Sequence, residues 1–295
     1  MSIPKLNDYL LPAVQELPVN KVNWAFDSKR AALLIHDMQN YFLNFWQPDS
    51  QLVTQIIDNI ARLKVQCQKL GIPVFYTAQP DHQSDADRGL LNDMWGSGLN
   101  KHPEQQSITD ALAPEGDDTL LVKWRYSAFQ RSDLEQLLKN SERDQLIICG
   151  IYAHIGCMTT ATDAFMRDIK PFFVADALAD FSREEHMMSL RYVAGRSGRV
   201  LTTATLLNEM SPSSLGENKW DREHLRAEIL PLLDDDCGDI DDHENLLDYG
   251  LDSVRIMSLI TRWNNQGHQL DFITLVKTPT LSNWLTLLTD KQEVR

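Results

Sequence analysis

The chain has 295 residues, 43% of them hydrophobic, and a formal net charge of -14. That length allows one large domain or two, and the apolar content supports a real core. The charge argues against nucleic acid or an anionic membrane as a partner, because like charges repel there.

The first thirty residues lack the basic, apolar and small-residue order of a signal peptide. No run reaches the ~18 apolar residues of a membrane span. The four cysteines, Cys67, Cys149, Cys157 and Cys237, form no C-x-x-C pair. No zinc knuckle or redox motif is signalled, and a reducing cytoplasm is the expected setting.

"AALLIHD" (31–37) reads as a buried strand. Leu52, Ile56, Ile60 and Leu63 follow at helical spacing and predict a helix over 51–71, with Gly71 as its C-terminal cap. "PVFYTAQ" (73–79) and "DTLLVKW" (118–124) predict strands, and "SDLEQLLKNS" (132–141) a helix. "QLIICG" (145–150) predicts a strand, followed by the helix-like "TTATDAFMRD" (159–168). "PFFVADA" (171–177) predicts a last strand, and "SREEHMMSLRYVAG" (182–195) a helix. This alternation predicts an α/β fold, a parallel sheet flanked by helices. Ligands in such folds bind beyond the C-terminal strand ends. The polar residues there are Asp37, Gln79, Lys123, Tyr152 and Asp176.

Near residue 211 the character changes. "SPSSLGENK" (211–219) is a cluster of turn residues. Beyond it, amphipathic helices are expected at 222–233, 253–267 and 280–288, with a short one at 271–277. The expected organisation is one domain over 1–210, a linker over 211–219, and a small all-α four-helix domain over 220–295.

In that second unit "DYGLDS" (248–253) precedes a helix. Taken alone, Asp-Ser before a helix reads as an N-cap. The pattern D-x-G-x-D-S resembles the attachment site of acyl and peptidyl carrier proteins. The resemblance implies a 4'-phosphopantetheine arm on Ser253, whose thiol holds an acyl group as a thioester. Gly250 would make the tight turn. The acidic run "LLDDDCGDIDDHE" (232–244) would dock a basic modifying enzyme, a phosphopantetheinyl transferase.

In the first unit "LLIHDMQNYF" (33–42) resembles the opening strand of the isochorismatase-like hydrolases. Amidases of that superfamily use an Asp, a Lys and a Cys. These positions fall on Asp37, on Lys123 in "LLVKWRYSAF", and on Gly156 in "GIYAHIGC". A glycine thus stands where the nucleophile would. Cys157 comes one residue late, which a helical turn would aim ~100° away, and reads as a small buried residue. Two rivals remain at this point: an amidase using Cys157, and a catalytically dead carrier scaffold.

Glycine at 156, with "GIYAHIGC" and "ADALADFS" (175–182), resembles the isochorismatases proper. Together with the carrier motif, the whole chain resembles the bifunctional isochorismatase–aryl carrier proteins of catecholate siderophore synthesis. That resemblance implies hydrolysis of the enolpyruvyl vinyl ether of isochorismate and carriage of a 2,3-dihydroxybenzoyl group. It implies an aryl-adenylating ligase and a condensation domain of a nonribosomal peptide synthetase as partners, and leaves a homo-oligomer open. Asp37 would be the acid. Lys123 would spend its charge mainly on a substrate carboxylate or the ether oxygen. Gly156 would leave room for substrate, Gln79, Arg88 and Tyr152 would bind it, and Trp95 would wall the ring. Without the resemblance, Arg88 and Trp95 read as a surface charge and a packed aromatic. His36 and His154 read as structural, and no metal-ligand spacing is present. "GRSGR" (195–199) is not G-x-S-x-G, and its arginines read as helix-end charges. Near Ser253, Ile256, Ile260 and Trp263 have core spacing. Met257 and Phe272 are expected to face solvent as a partner-docking surface.

Overall fold

Every residue of β1 (Ala31–His36) is buried, as a strand covered on both faces requires. Leu33 and Ile35 pack into the core on one face of the sheet, Ala32 and Leu34 into the core on the other. The structure is a computed structural model and describes residues 3–211, 220–233, 240–265, 268 and 270–289. The chain divides into two compact units, Met1–Leu215 and Gly216–Arg295.

In the first unit β1 is joined by β2 (Val74–Ala78), β3 (Thr119–Val122), β4 (Gln145–Ile151), β5 (Lys170–Ala179) and β6 (Arg199–Leu201). All pair in parallel, in the order β3-β2-β1-β4-β5-β6. The chain builds outward from β1 in both directions, so the topological switch point lies between β1 and β4. That is where an open α/β sheet forms its ligand crevice.

The longer helices are α1 (Gln51–Lys69), α2 (Leu134–Asn140), α3 (Met158–Phe165), α4 (Arg183–Arg196) and α5 (Thr203–Glu209), and short turns at Asp85–Arg88 and Leu91–Trp95 carry Arg88 and Trp95. α1 and α5 cover the face of Leu33 and Ile35; α2, α3 and α4 cover the other. α1 buries the expected stripe of Leu52, Ile56, Ile60 and Leu63. The Ser50 hydroxyl caps its start, and Asp8 accepts from the Gln51 and Leu52 amides at 2.7 and 3.3 Å. Beyond its end Gly71 takes a left-handed φ of +65°.

Three local features differ from expectation. β6 and α5 were not signalled, because three residues of strand leave no pattern. Arg199 is therefore a strand residue paired with Glu209, not a helix-end charge. β5 runs on to Ala179, so Asp176 is not at a strand end. It lies within the strand and accepts from the Thr203 amide and hydroxyl at 2.6 and 2.8 Å, fixing the start of α5.

The second unit contains α6 (Arg222–Ile229), α7 (Ser253–Asn265), α8 (Phe272–Lys277) and α9 (Leu281–Thr289). Its core includes Leu225, Ile256, Leu259, Ile260, Trp263, Leu275 and Trp284. Trp263 meets Trp220 and Trp284 edge to face, with ring centroids 5.6 and 5.7 Å apart. The helix expected over 222–233 stops at Ile229 and gives way to a tighter turn containing Pro231. Linker positions 212–219 and the acidic stretch 234–239, including Cys237, lie outside the described residues. Among those described, no helix is long and apolar enough to cross a membrane.

Candidate active site and carrier site

The chain leaves β1 through Asp37, whose φ is +50°, an uncommon conformation that its surroundings must hold. They do so from neighbouring strands. Thr77, on β2, donates its hydroxyl to Asp37 Oδ1 at 2.7 Å. Lys123, just past β3, donates from Nζ to Oδ2 at 2.6 Å. Both charged side chains are buried. Lys123 therefore spends its charge first on Asp37, not mainly on a substrate group as expected from sequence.

After β4 the chain makes a π-helical turn, Ala153–Cys157, before α3. The turn presents Gly156 to the cavity beside Asp37. A Cβ there would collide with Cε1 of His36 and lie 2.8 Å from its Nε2. The space is thus taken by the His36 ring, and the glycine is required by a protein side chain. Cys157 is fully buried within a core cluster of the sheet and does not line the cavity. Burial pushes its thiol well up, which leaves no ready thiolate for nucleophilic attack.

Asp37, Gln79, Arg88, Trp95, Lys123, Tyr152 and Gly156 all line this one cavity. Arg88 is buried at 3% exposure, not a surface charge. Its Nε donates to the Gly96 carbonyl at 2.6 Å and its Nη1 to Gln83 at 3.1 Å. Among the described residues no carboxylate pairs with it, and burial lowers its pKa. An anion entering the cavity would meet this charge without competition from a carboxylate. The Gln79 backbone is clamped by the Gln39 amide in both directions, at 2.8 and 2.9 Å. Trp95 donates Nε1 to the Tyr126 hydroxyl at 2.8 Å. The Tyr152 hydroxyl donates to the Phe42 carbonyl at 2.9 Å.

Tyr126, Phe181, Ile155 and Ile3 also line the cavity and were not singled out from sequence. Phe181 stacks edge-on against Tyr152, with centroids 4.7 Å apart. It follows the true end of β5, so placing that end correctly would have found it. Ile3 lies in an extended segment with no periodic signal. His154, Asp180 and Glu185 approach one another closely enough to share a cation. The His154 Nδ1 and backbone amide both bond the Asp180 carboxylate, at 2.5 and 2.6 Å, which braces the π-helical turn.

In the second unit Gly250 makes a left-handed turn, φ +86°, ahead of α7. Asp252 Oδ1 accepts from the Arg255 amide at 2.8 Å and so takes the cap. Of the Asp-Ser pair, Asp252 is therefore the cap, and Ser253 is the first helical residue, with an exposed side chain. The Arg255 guanidinium ties the turn by donating to the carbonyls of Leu232 and Gly250 at 2.7 and 2.9 Å. An exposed hydroxyl on a fixed turn fits covalent attachment of a pantetheine arm. Ile256, Ile260 and Trp263 are buried. Met257 is 51% exposed, beside exposed Val254. Phe272 differs from expectation: it is half-buried against the core, while its neighbour Ile273 is exposed. Part of the acidic run also turns inward, with Asp242 pairing with Arg222 and Arg226 at 2.5 and 2.9 Å.

Comparison with known proteins adds independent findings. Residues 31–205 match the isochorismatase domain and residues 223–288 the phosphopantetheine attachment site. The chain is 60% identical over 288 residues to enterobactin synthase component B of Escherichia coli, covering 98% of each. It is 48% identical over 303 residues to an isochorismatase of Bacillus subtilis, covering 99% of this chain and 97% of that one. Among solved structures, a cysteine hydrolase from Pseudomonas syringae superposes with a TM-score of 0.59 at 26% identity, covering 65% of this chain and 97% of that one.

Proposed function

We propose a two-part function from one premise: the chain belongs to the isochorismatase family and carries a phosphopantetheine attachment domain behind it. The first unit hydrolyses the enolpyruvyl vinyl ether of isochorismate to pyruvate and 2,3-dihydro-2,3-dihydroxybenzoate. The second carries a 2,3-dihydroxybenzoyl group on Ser253 for nonribosomal siderophore synthesis. The 4'-phosphopantetheine arm supplies the thiol that holds the acyl group as a thioester.

The observation that carries the hydrolytic reading is one cavity holding Asp37 against Lys123, an unpaired buried Arg88, and no thiol. A vinyl ether needs no protein nucleophile. Asp37 gives its proton to the terminal methylene carbon, forming an oxocarbenium ion. Water captures that cation, and the Asp37 carboxylate takes a proton from the water, restoring the acid. The hemiketal then collapses: its hydroxyl proton passes to the departing oxygen, the C–O bond breaks, and both products form. Arg88 holds a substrate carboxylate, Lys123 stays on Asp37 and positions it, and the Gln79 amide orients the enolpyruvyl group. Trp95, Tyr152 and Phe181 enclose the ring.

On the carrier side, the chemistry requires a phosphopantetheinyl transferase, an aryl-adenylating ligase and a condensation domain in turn. Met257, exposed four residues after Ser253 on the same helix, belongs to the face that meets the condensation domain. The site chemistry is tested by assaying the purified chain with isochorismate for pyruvate release. Mass spectrometry after incubation with coenzyme A and a transferase tests the arm. Pyruvate release, and an added pantetheine mass on Ser253, support the reading. Absence of pyruvate from folded protein overturns the first half, and an arm on another residue overturns the second.

A further inference from the structure

We propose that His36 is a positioning residue for the hydrolytic site: its ring fills the volume over Gly156 and holds the end of β1 against the turn after β4, keeping Asp37 aimed. The inference rests on the reading of Asp37 as the acid.

His36 is the last residue of β1, immediately before Asp37 with its left-handed φ. Its side chain is fully buried. Nδ1 lies 2.8 Å from the carbonyl of Ile151, at the end of β4. A carbonyl only accepts, so Nδ1 carries a proton, and the Tyr126 backbone also interacts with the ring. Two glycines admit this residue. A Cβ on Gly150 would collide with the His36 carbonyl, and one on Gly156 would collide with its ring. The neighbouring Asp37 Oδ2 is 3.7 Å from Nδ1.

An apolar side chain would fill this space without burying a polar ring. Burying an imidazole costs solvation, and burial holds it neutral by lowering its pKa to about 4. What the imidazole adds is the bond across the switch point. Thr77 and Lys123 fix the carboxylate of Asp37; the His36–Ile151 bond fixes the main chain that delivers it.

Full-length variants are assayed for pyruvate release alongside thermal melts. His36→Val removes the donor. It is expected to lower kcat on the order of 10–100-fold with KM changed less than about twofold, since a displacement of about 1 Å can cost 10² in rate while Arg88 still binds substrate. His36→Asn keeps a donor at the Nδ1 position and is expected to regain most of that loss. Gly156→Ala alone should lose stability and activity. Combined with His36→Asn, which lacks Cε1 and Nε2, it should recover its melting temperature. Wild-type kcat per folded molecule in His36→Val, or a Gly156→Ala chain unaffected by which residue stands at 36, would overturn the inference. Should His36→Val fail to fold, the Asn and Ala pair decides by the same criterion. Asp37→Asn run in parallel separates the two levels. An inactive Asp37→Asn with unaffected His36→Val removes the positioning role alone, whereas an active Asp37→Asn removes the hydrolytic reading and this inference with it.

Discussion

Arg88 has the environment of a site residue, because a guanidinium folded inside without a carboxylate is unstable until an anion arrives. Replacing it by Met should raise KM roughly 10–100-fold, the worth of a hydrogen-bonded charge pair of about 1.5–3 kcal/mol. Gly98→Ala should move KM the same way, since its Cβ would collide with the Arg88 guanidinium. Steady-state kinetics on both variants check this, and an unchanged KM in Arg88→Met contradicts the role. Lys123→Ala should lower kcat on the order of 10²–10³-fold, as expected for one preorganised electrostatic contact. Two buried histidines add a pH dependence. Burial lowers both His36 and His186 to about 4, from an ordinary 6.5. The unfolded chain therefore binds more protons, and stability falls as pH drops from about 6.5 towards 4. At pH 5 each histidine should subtract about 2 kcal/mol. Thermal melts at pH 7 and pH 5 measure it, and His36→Asn should show the smaller drop.

At the level of elements, the start of α7 separates stability from chemistry. Asp252→Ala removes the cap and should destabilise the carrier unit by about 1 kcal/mol while arm attachment persists. Ser253→Ala should abolish attachment with the melting temperature unchanged, and a pantetheine mass remaining in that variant contradicts the assignment. This division was not legible in "GLDS", where either residue could cap. Most strands were legible, because fully buried parallel strands read as apolar runs bounded by turn residues. β5 was cut short because Asp176 looked like a strand end, when its charge is absorbed by Thr203. Asp37, Lys123 and Gly156 stood out as a motif tied to strand ends. Phe181 was missed with the true end of β5; Ile3 and the collision of His36 with Gly156 depend on which segments pack together and not on spacing along one of them.

At the level of the molecule, each of the two units has its own hydrophobic core. A protein cut within 212–219 should therefore give a first fragment that still releases pyruvate and a second that still accepts the arm. Loss of either activity from its folded fragment would mean that the units depend on each other. The central claim is that hydrolysis belongs to Asp37 in one unit and acyl carriage to Ser253 in the other. Pyruvate release from isochorismate by full-length Asp37→Asn and Ser253→Ala, each compared with the unaltered chain, tests it most directly. The account predicts no detectable turnover in folded Asp37→Asn and full turnover in Ser253→Ala; near-normal turnover in Asp37→Asn would contradict it.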